Sequence, residues 1–261
     1  MKKIAEYALP FLLALLLLAL WEAIVHIRQI RPYILPAPSA IAWALYANWG
    51  SLSAAMASTL LITLKGFLGA LLTAILLAIL FSQSRLAEKA LYPYAVVLQV
   101  TPVVAIAPLI LIWVGFERID MALALIAGII AFFPILASAV QGLKSADFNL
   151  LDLARLYGAT RWQTLRRIQL PAALPGLLTG MKTGAVIALI GEVTAEFAAG
   201  SGTATGLAWR IAEAGNRLEI ATLFAAVALL ALTGVLLFVL LSLLEWALLR
   251  RWHESAISRE F

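Results

Sequence analysis

The chain has 261 residues, 64% hydrophobic and 13% charged, and its mean hydropathy is +0.99. Soluble domains have about 45–50% apolar and about 25% charged residues, so most of this chain must face lipid or other membrane helices. The lack of cysteine excludes a disulfide framework, a thiol nucleophile and a cysteine-based metal site. The net charge of +5 does not indicate nucleic-acid binding, because the cations are distributed around apolar segments.

Six segments are predicted to cross a membrane, since each supplies the roughly 20 apolar residues that a spanning helix needs. They cover about 8–27, 55–81, 90–114, 120–142, 172–197 and 220–248. The first is too long for a signal peptide and lacks a small-residue cleavage site, so we expect a retained helix. The fold class is an all-α integral membrane protein, with a single transmembrane domain over 1–261.

The distribution of cations predicts the topology. With a cytoplasmic N-terminus, five cations lie outside: Arg28, Arg31, Arg118, Arg210 and Arg217. Twelve lie inside: Lys2, Lys3, Arg85, Lys89, Lys144, Arg155, Arg161, Arg166, Arg167, Arg250, Arg251 and Arg259. Cytoplasmic loops carry the excess of Lys and Arg, so both termini are predicted to be cytoplasmic.

The outside segment after the first span begins with three prolines between residues 32 and 38, which favour extended chain. Ser39 is a plausible N-cap for a short helix to Asn48. Trp43, Tyr46 and Trp49 follow at every third residue, as in a helix at the lipid headgroups. We expect an interfacial helix, with contact to an external protein as the alternative.

Between the fourth and fifth spans lies a basic, helix-forming loop. From Asp152 to Pro171 it reads DLARLYGATRWQTLRRIQLP, and it contains four of the 19 Lys and Arg residues. A helix is predicted over 148–157, with an apolar side and a break at Gly158. Thr160 can cap a second helix through Arg167, and Pro171 suits the start of the next span. A patterned loop of this length indicates a docking surface or an amphipathic helix on lipid.

This loop resembles a family signature. Asp152-Leu153-Ala154, Gly158, Ile168, Leu170 and Pro171 follow the spacing E-A-A-x3-G-x9-I-x-L-P, with Asp for Glu and Leu for the first Ala. The signature is that of permease subunits of bacterial binding-protein-dependent ABC importers. YILPAPSAI, TPVVAIAPLILIWVGF and FFPIL resemble the nitrate/sulfonate/taurine branch of that family.

The resemblance implies a permease fold in the bacterial cytoplasmic (inner) membrane, a homodimer, two ATP-binding subunits and a periplasmic or extracellular solute-binding protein. It implies a solute such as nitrate, a sulfonate, taurine or a heteroaromatic vitamin precursor. It also implies that the loop contains the coupling helix, which lies in a groove of the ATP-binding subunit. Its ATPase-coupling residues are Asp152, Ala154, Arg155, Leu156, Gly158, Ile168, Leu170 and Pro171.

No phosphate-binding loop G-x4-G-K-[ST] is present; TGMKT at 179–183 has the wrong spacing. We therefore expect no enzyme activity and no cofactor in this chain, with ATP and Mg bound by the partner ATPase. The other expected partners are membrane lipid and a second copy of the chain, and no nucleic acid.

The fifth span has two distinct faces at 100° per residue. Gly176, Gly180, Gly184 and Gly191 share one, a small-residue face suited to close helix packing. Lys182, Glu192 and Glu196 share the other face. Because a charge inside a membrane costs free energy, we expect these residues either to border a pathway or to form structural ion pairs. Lys65 in the second span lies at a depth similar to that of Glu192, so a Lys65–Glu192 pair is a candidate brace or outer gate.

The third span contains Pro102 and Pro108, which predict a kinked helix, with the polar Gln99 and Thr101 beside them. Such a helix borders a cavity in many transporters, although irregular packing is the alternative. The pathway candidates are Lys65, Gln99, Thr101, Lys182, Glu192 and Glu196. Two other classes stay open: an ion- or proton-coupled secondary transporter using Lys182, Glu192 and Glu196, and an integral-membrane enzyme.

Overall fold

The computed structural model describes residues 2–200 and 205–250, and the regular structure there is helical throughout. Arg251 and Arg259, counted above among the inside cations, lie outside the described residues. The helices are α1 Lys2–Ile27, α2 Pro38–Ala47, α3 Trp49–Gln83, α4 Arg85–Val100, α5 Val103–Val114, α6 Ile119–Lys144, α7 Phe148–Leu156, α8 Arg161–Thr164, α9 Leu170–Ala199, α10 Leu207–Asn216 and α11 Ile220–Leu249.

Within the described residues, five helical segments are long and apolar enough to cross a membrane, and the number is six if the bent pair α4–α5 counts as one span. The five are Leu9–Ile27, Trp49–Gln83, Ile119–Lys144, Arg161–Ala199 and Ile220–Leu249. The predicted all-α membrane fold is confirmed, and each predicted span falls on one of these segments.

The third span differs from its prediction as one kinked helix. It is broken between α4 and α5, and the two parts meet at 106°. Thr101 adopts an extended conformation (φ −70°, ψ 125°) because the residue before a proline is disfavoured in a helix. Pro102 then precedes α5, while Pro108 lies inside α5. The prolines in the sequence indicate where the helix is irregular, but they predict a smaller bend than the one observed.

One compact unit contains residues 2–58 and 205–231. Leu52, Leu207 and Leu229 are buried at its centre beside small alanines. Helix α2 begins after Ala37, so the predicted N-cap Ser39 is wrong: Ser39 lies in the first turn. Pro38 occupies the favoured first position of the helix, so Ser39 follows it inside the helix. The backbone N–H and the hydroxyl of Ser39 both donate to the Glu22 carboxylate, at 3.0 and 2.7 Å.

The other unit contains residues 59–200 and 232–250 of the described chain. Its centre contains the α6–α9 pair, which is in extensive contact. Gly176, Gly180, Gly184 and Gly191 of α9 all lie against α6. At Gly180, for example, a Cβ would lie 2.5 Å from the Cβ of Ser138, so a larger residue would push the two helices apart.

Candidate functional site

Helix α7 begins at a side-chain cap and ends at a glycine. The Asp147 carboxylate accepts a 2.8 Å hydrogen bond from the Asn149 backbone N–H. At the other end Gly158 has φ +70°, the left-handed region that favours glycine. Gly158 N–H donates to the Arg155 carbonyl and Ala159 N–H to the Ala154 carbonyl, at 3.0 and 2.9 Å. These two bonds form a Schellman motif, which stops the helix at a fixed residue.

The apolar side chains of α7 are uncovered in this chain, and no residue of α7 is buried. The exposed fractions are 77% for Phe148, 84% for Leu156 and 84% for Tyr157. We call these three residues, with the half-exposed Leu153, the docking side. Asp152 and Arg155 form an exposed ion pair at 2.8 Å, a kind of pair that adds little stability.

The chain after Gly158 turns directly into the fifth span. Thr160 and Gln163 form a reciprocal capping box at the start of α8. A π-helical turn over Leu165–Gln169 then joins α8 to α9, so Arg161–Ala199 is one helical segment. Helix α9 itself begins at Leu170, with Pro171 in its first turn, although the helical path continues back through α8. Pro171 cannot donate a backbone hydrogen bond, and the wider π turn before it relieves the clash that its ring would otherwise cause.

Two contacts fix the α8 part of this element to the rest of its unit, and a third joins the neighbouring helices α6 and α4. Leu165 is fully buried in the core, and Ile168 and Leu170 are half-buried. The Arg161 guanidinium donates to the Gln83 carbonyl at the end of α3, at 3.3 Å. Lys144 and Glu88 pair between the ends of α6 and the start of α4. The docking side is thus held by a rigid base although it is itself uncovered.

Lys182 takes part in an ion pair with α11. Its Nζ lies 2.5 Å from Oε2 of Glu245, and it also lies 5.8 Å from the ring centre of Phe238. Both charged side chains are largely buried, at 13% and 17% exposed. The alternative of a structural ion pair therefore fits Lys182 better than pathway lining. Sequence reasoning missed Glu245, whose only signal is an acid within the last apolar span.

The predicted Lys65–Glu192 pair is not formed. Glu192 is fully buried, and neither of its carboxylate oxygens has a hydrogen-bond partner among the described residues. The charges close enough to act on it, Glu196 and Asp120, are both acidic. Lys65 is instead exposed on α3. Similar depth in two spans was a poor guide, because it does not determine which helix faces meet.

Lys65 lines two neighbouring cavities beside the α3–α6 crossing. The charged compartment, about 490 Å³, is also lined by Glu117, Arg118 and Asp120 at the α5–α6 connection. The apolar compartment, about 440 Å³, extends past Thr73 to Leu98 and Phe132. Met121 and Ala124 border both compartments.

The remaining pathway candidates do not line these cavities. Gln99 is exposed at the end of α4, and the Thr101 hydroxyl donates to the Val97 carbonyl at 2.7 Å. Glu196 is 3% exposed on α9. Of the six candidates, Lys65 borders these two cavities.

The crossing of α3 and α6 depends on backbone contact. A Cβ on Gly66 would lie 2.5 Å from the Ala124 carbonyl oxygen and 3.1 Å from Gly128 N. A Cβ on Gly69, one turn further, would meet nothing within 4 Å. These two glycines of the same helix form a matched pair.

We expect Gly66→Ala to lower the free energy of unfolding by about 1–3 kcal/mol, because backbone atoms must shift to admit the methyl group. Gly69→Ala should be neutral or stabilising by up to about 1 kcal/mol, since alanine favours a helix. Denaturant unfolding of the purified chain in micelles measures both changes. Equal stability of the two variants would show that the helices do not cross in this way.

The described part of the chain is a set of membrane-length helices with an uncovered helical element between two of them. The chain belongs to the family described as binding-protein-dependent transport system inner membrane component, which it matches over residues 70–253.

Relatives agree over nearly the whole chain. The riboflavin transport system permease protein of Chloroflexus aurantiacus is 38% identical over 92% of this chain and 88% of that protein. The formylaminopyrimidine transport permease protein of Halalkalibacterium halodurans is 31% identical over 98% and 100%. The putative aliphatic sulfonates transport permease protein of Bacillus subtilis is 30% identical over 94% and 87%.

The resemblance predicted from the loop is thereby confirmed: the chain is a multi-span permease of the ABC importer type. These relatives are transport permeases and not enzymes. The family match does not support the alternative of a coupled secondary transporter. That alternative used Lys182 as the cation of its pathway, and Lys182 is paired with Glu245 instead.

Proposed function

We propose that this chain is the membrane-spanning subunit of an ATP-driven importer that accepts a small polar or anionic solute from a binding protein. The solute belongs to the range of sulfonates, taurine, nitrate and heteroaromatic vitamin precursors. The names of the relatives refer to riboflavin, formylaminopyrimidine and aliphatic sulfonates, and they support this range. The binding protein selects among these solutes.

The observation that carries the proposal is the uncovered docking side of α7, which is held between a side-chain cap and a Schellman motif. An apolar helix side of this kind suits a groove on a partner protein. A rigid helix in a groove can transmit the partner's movement, whereas a mobile loop cannot. We assign α7, Gly158 and the following turn to coupling with the ATP-binding subunit.

In the proposed assembly two copies of the chain join two ATP-binding subunits. ATP and Mg bind to those subunits, and this chain needs no cofactor. The assembly lies in the bacterial cytoplasmic membrane with both termini inside, and the binding protein docks outside. ATP-driven closure of the two ATPases then switches the membrane domain between inward-open and outward-open states.

The proposal is tested with the complete complex, formed from a tagged chain, its cognate ATP-binding subunit and its binding protein, in proteoliposomes. We expect the ATP-binding subunit to co-purify in a one-to-one ratio, and uptake of a solute from the range above to require ATP. The control is a partner ATPase that lacks its phosphate-binding lysine. Uptake that persists with this partner and collapses with a protonophore would establish a secondary transporter instead.

A further inference from the structure

Lys65 is a cation within an apolar span. Within the residues that the structure describes, it takes part in no ion pair or hydrogen bond, in contrast to Lys182 and Lys144. A lysine in the centre of a membrane helix costs about 2.5–3.5 kcal/mol on insertion scales, so it requires a partner or water. This partner is not supplied by the described part of the chain.

The apolar compartment carries a single charge. Its eleven other lining residues are apolar or glycine, apart from Thr73, and none is acidic. The acidic side chains Glu117 and Asp120 line only the charged compartment, together with Arg118. An anion in the apolar compartment therefore meets one ammonium group and no carboxylate.

The shape of the compartment follows from the glycines at the helix crossing. Gly66 and Gly128 bring the two backbones into contact, and Gly69 leaves open space above them. The volume of about 440 Å³ lies within the roughly 300–1,000 Å³ of ordinary small-molecule sites. Phe132, Leu98 and Leu125 supply apolar walls.

A second feature is the position of the compartment next to the broken span. Leu98 lies just before the break between α4 and α5, where Thr101 and Pro102 are non-helical. Non-helical backbone at membrane depth occurs where it is covered by protein or lines a water-filled cavity. Transporters build solute sites at broken helices of this kind.

We infer that the apolar compartment is a transient solute site for small organic anions, in which the Lys65 ammonium binds a sulfonate or carboxylate group and the walls hold an apolar body. The inference rests on the proposed import function and adds a solute site to it. It gives the permease a preference for anions of its own, in addition to the selection by the binding protein.

The experiment uses the fact that the natural chain contains no cysteine. Thr73→Cys introduces one thiol into the compartment, and the full chain is placed in lipid nanodiscs. The thiol is labelled with two methanethiosulfonates of similar size, one with an ethylsulfonate group and one with an ethyltrimethylammonium group. Ser51→Cys, at the exposed beginning of the same helix, supplies the reference ratio of the two labelling rates.

We expect the sulfonate reagent to be favoured at residue 73 by about tenfold over the reference ratio, because a fixed charge in a low-dielectric cleft concentrates its counter-ion. Lys65→Met should abolish the preference, Lys65→Glu should reverse it, and Lys65→Arg should retain it. No labelling at residue 73 by either reagent would mean a compartment filled by lipid. That result, or an unchanged ratio in Lys65→Met, would overturn the inference.

Uptake by the complete complex separates this inference from the proposed function. In Lys65→Met we expect uptake of an anionic solute to fall about tenfold or more, with full retention of the ATP-binding subunit. Full uptake in Lys65→Met would contradict the solute site but would be compatible with the proposed import function. Absence of ATP-dependent uptake in the natural complex would contradict the proposed import function, whatever the result of the labelling.

Discussion

Replacing Gly158 with valine should abolish solute uptake while the chain still inserts and folds in the membrane. Gly158 has φ +70°, a conformation that costs an ordinary L-residue about 1–2 kcal/mol and a β-branched one more. No atom lies within 4 Å of a Cβ built there, so the penalty is conformational and local. The valine variant escapes it by losing the two Schellman bonds, which changes the direction of α7.

Leu156→Asp should have the same effect by a different route, because Leu156 is one of the most exposed apolar side chains of the docking side. A carboxylate there would be desolvated in an apolar groove. Pull-down of the ATP-binding subunit and uptake, both measured in the same membranes, should fall at least about tenfold, the effect of about 1.4 kcal/mol.

Two control variants make these results specific. Gly158→Asn should retain most uptake, because asparagine tolerates the left-handed conformation and can end a helix. Arg155→Ala should be mild, since its pair with Asp152 is exposed to solvent. Full ATPase retention and full uptake in both Gly158→Val and Leu156→Asp would show that α7 is not the coupling element.

The second large effect concerns stability. Lys182→Met should lower the free energy of unfolding by about 3 kcal/mol, because it leaves the Glu245 carboxylate buried without its partner. Adding Glu245→Gln should restore most of the loss, since two neutral groups have little desolvation penalty. Unfolding of the purified chain in micelles provides the measurement.

Lys65→Met is the matched control for this stability measurement. The same substitution removes the same charge from another spanning helix, but Lys65 has no ion-pair partner in the described residues. We expect no loss of stability there. An equal loss at both lysines would mean that the Lys182–Glu245 pair does not stabilise the fold.

Much of the fold is predictable from sequence because a spanning helix imposes a minimum apolar length. Trp49–Gln83 and Ile220–Leu249 extend only a few residues beyond the predicted 55–81 and 220–248. Gly158 was predictable as the end of α7 for a local reason, since few residues accept a positive φ. These features depend on neighbouring residues in the chain or on the solvent.

The errors concern features that depend on which helices meet. Lys182 pairs with Glu245, 63 residues away, and the sequence near either residue does not indicate this partner. Glu192 and Lys65 were matched by their depth alone, and the Glu192 carboxylate has no hydrogen-bond partner among the described residues. The bend at Pro102 reaches 106°, whereas proline alone predicts only a kink. Packing between helices decides each of these outcomes, and one sequence does not specify it.

The helical continuity of residues 161–199 has a mechanical consequence. At 1.5 Å per residue this segment, 39 residues long, spans about 58 Å, more than the thickness of the bilayer. A rigid rod of that length magnifies rotation: a tilt of about 10° at the coupling end displaces the opposite end by about 10 Å. In the proposed assembly, a small movement of the ATP-binding subunit against α7 would therefore become a larger one at the far side of the membrane.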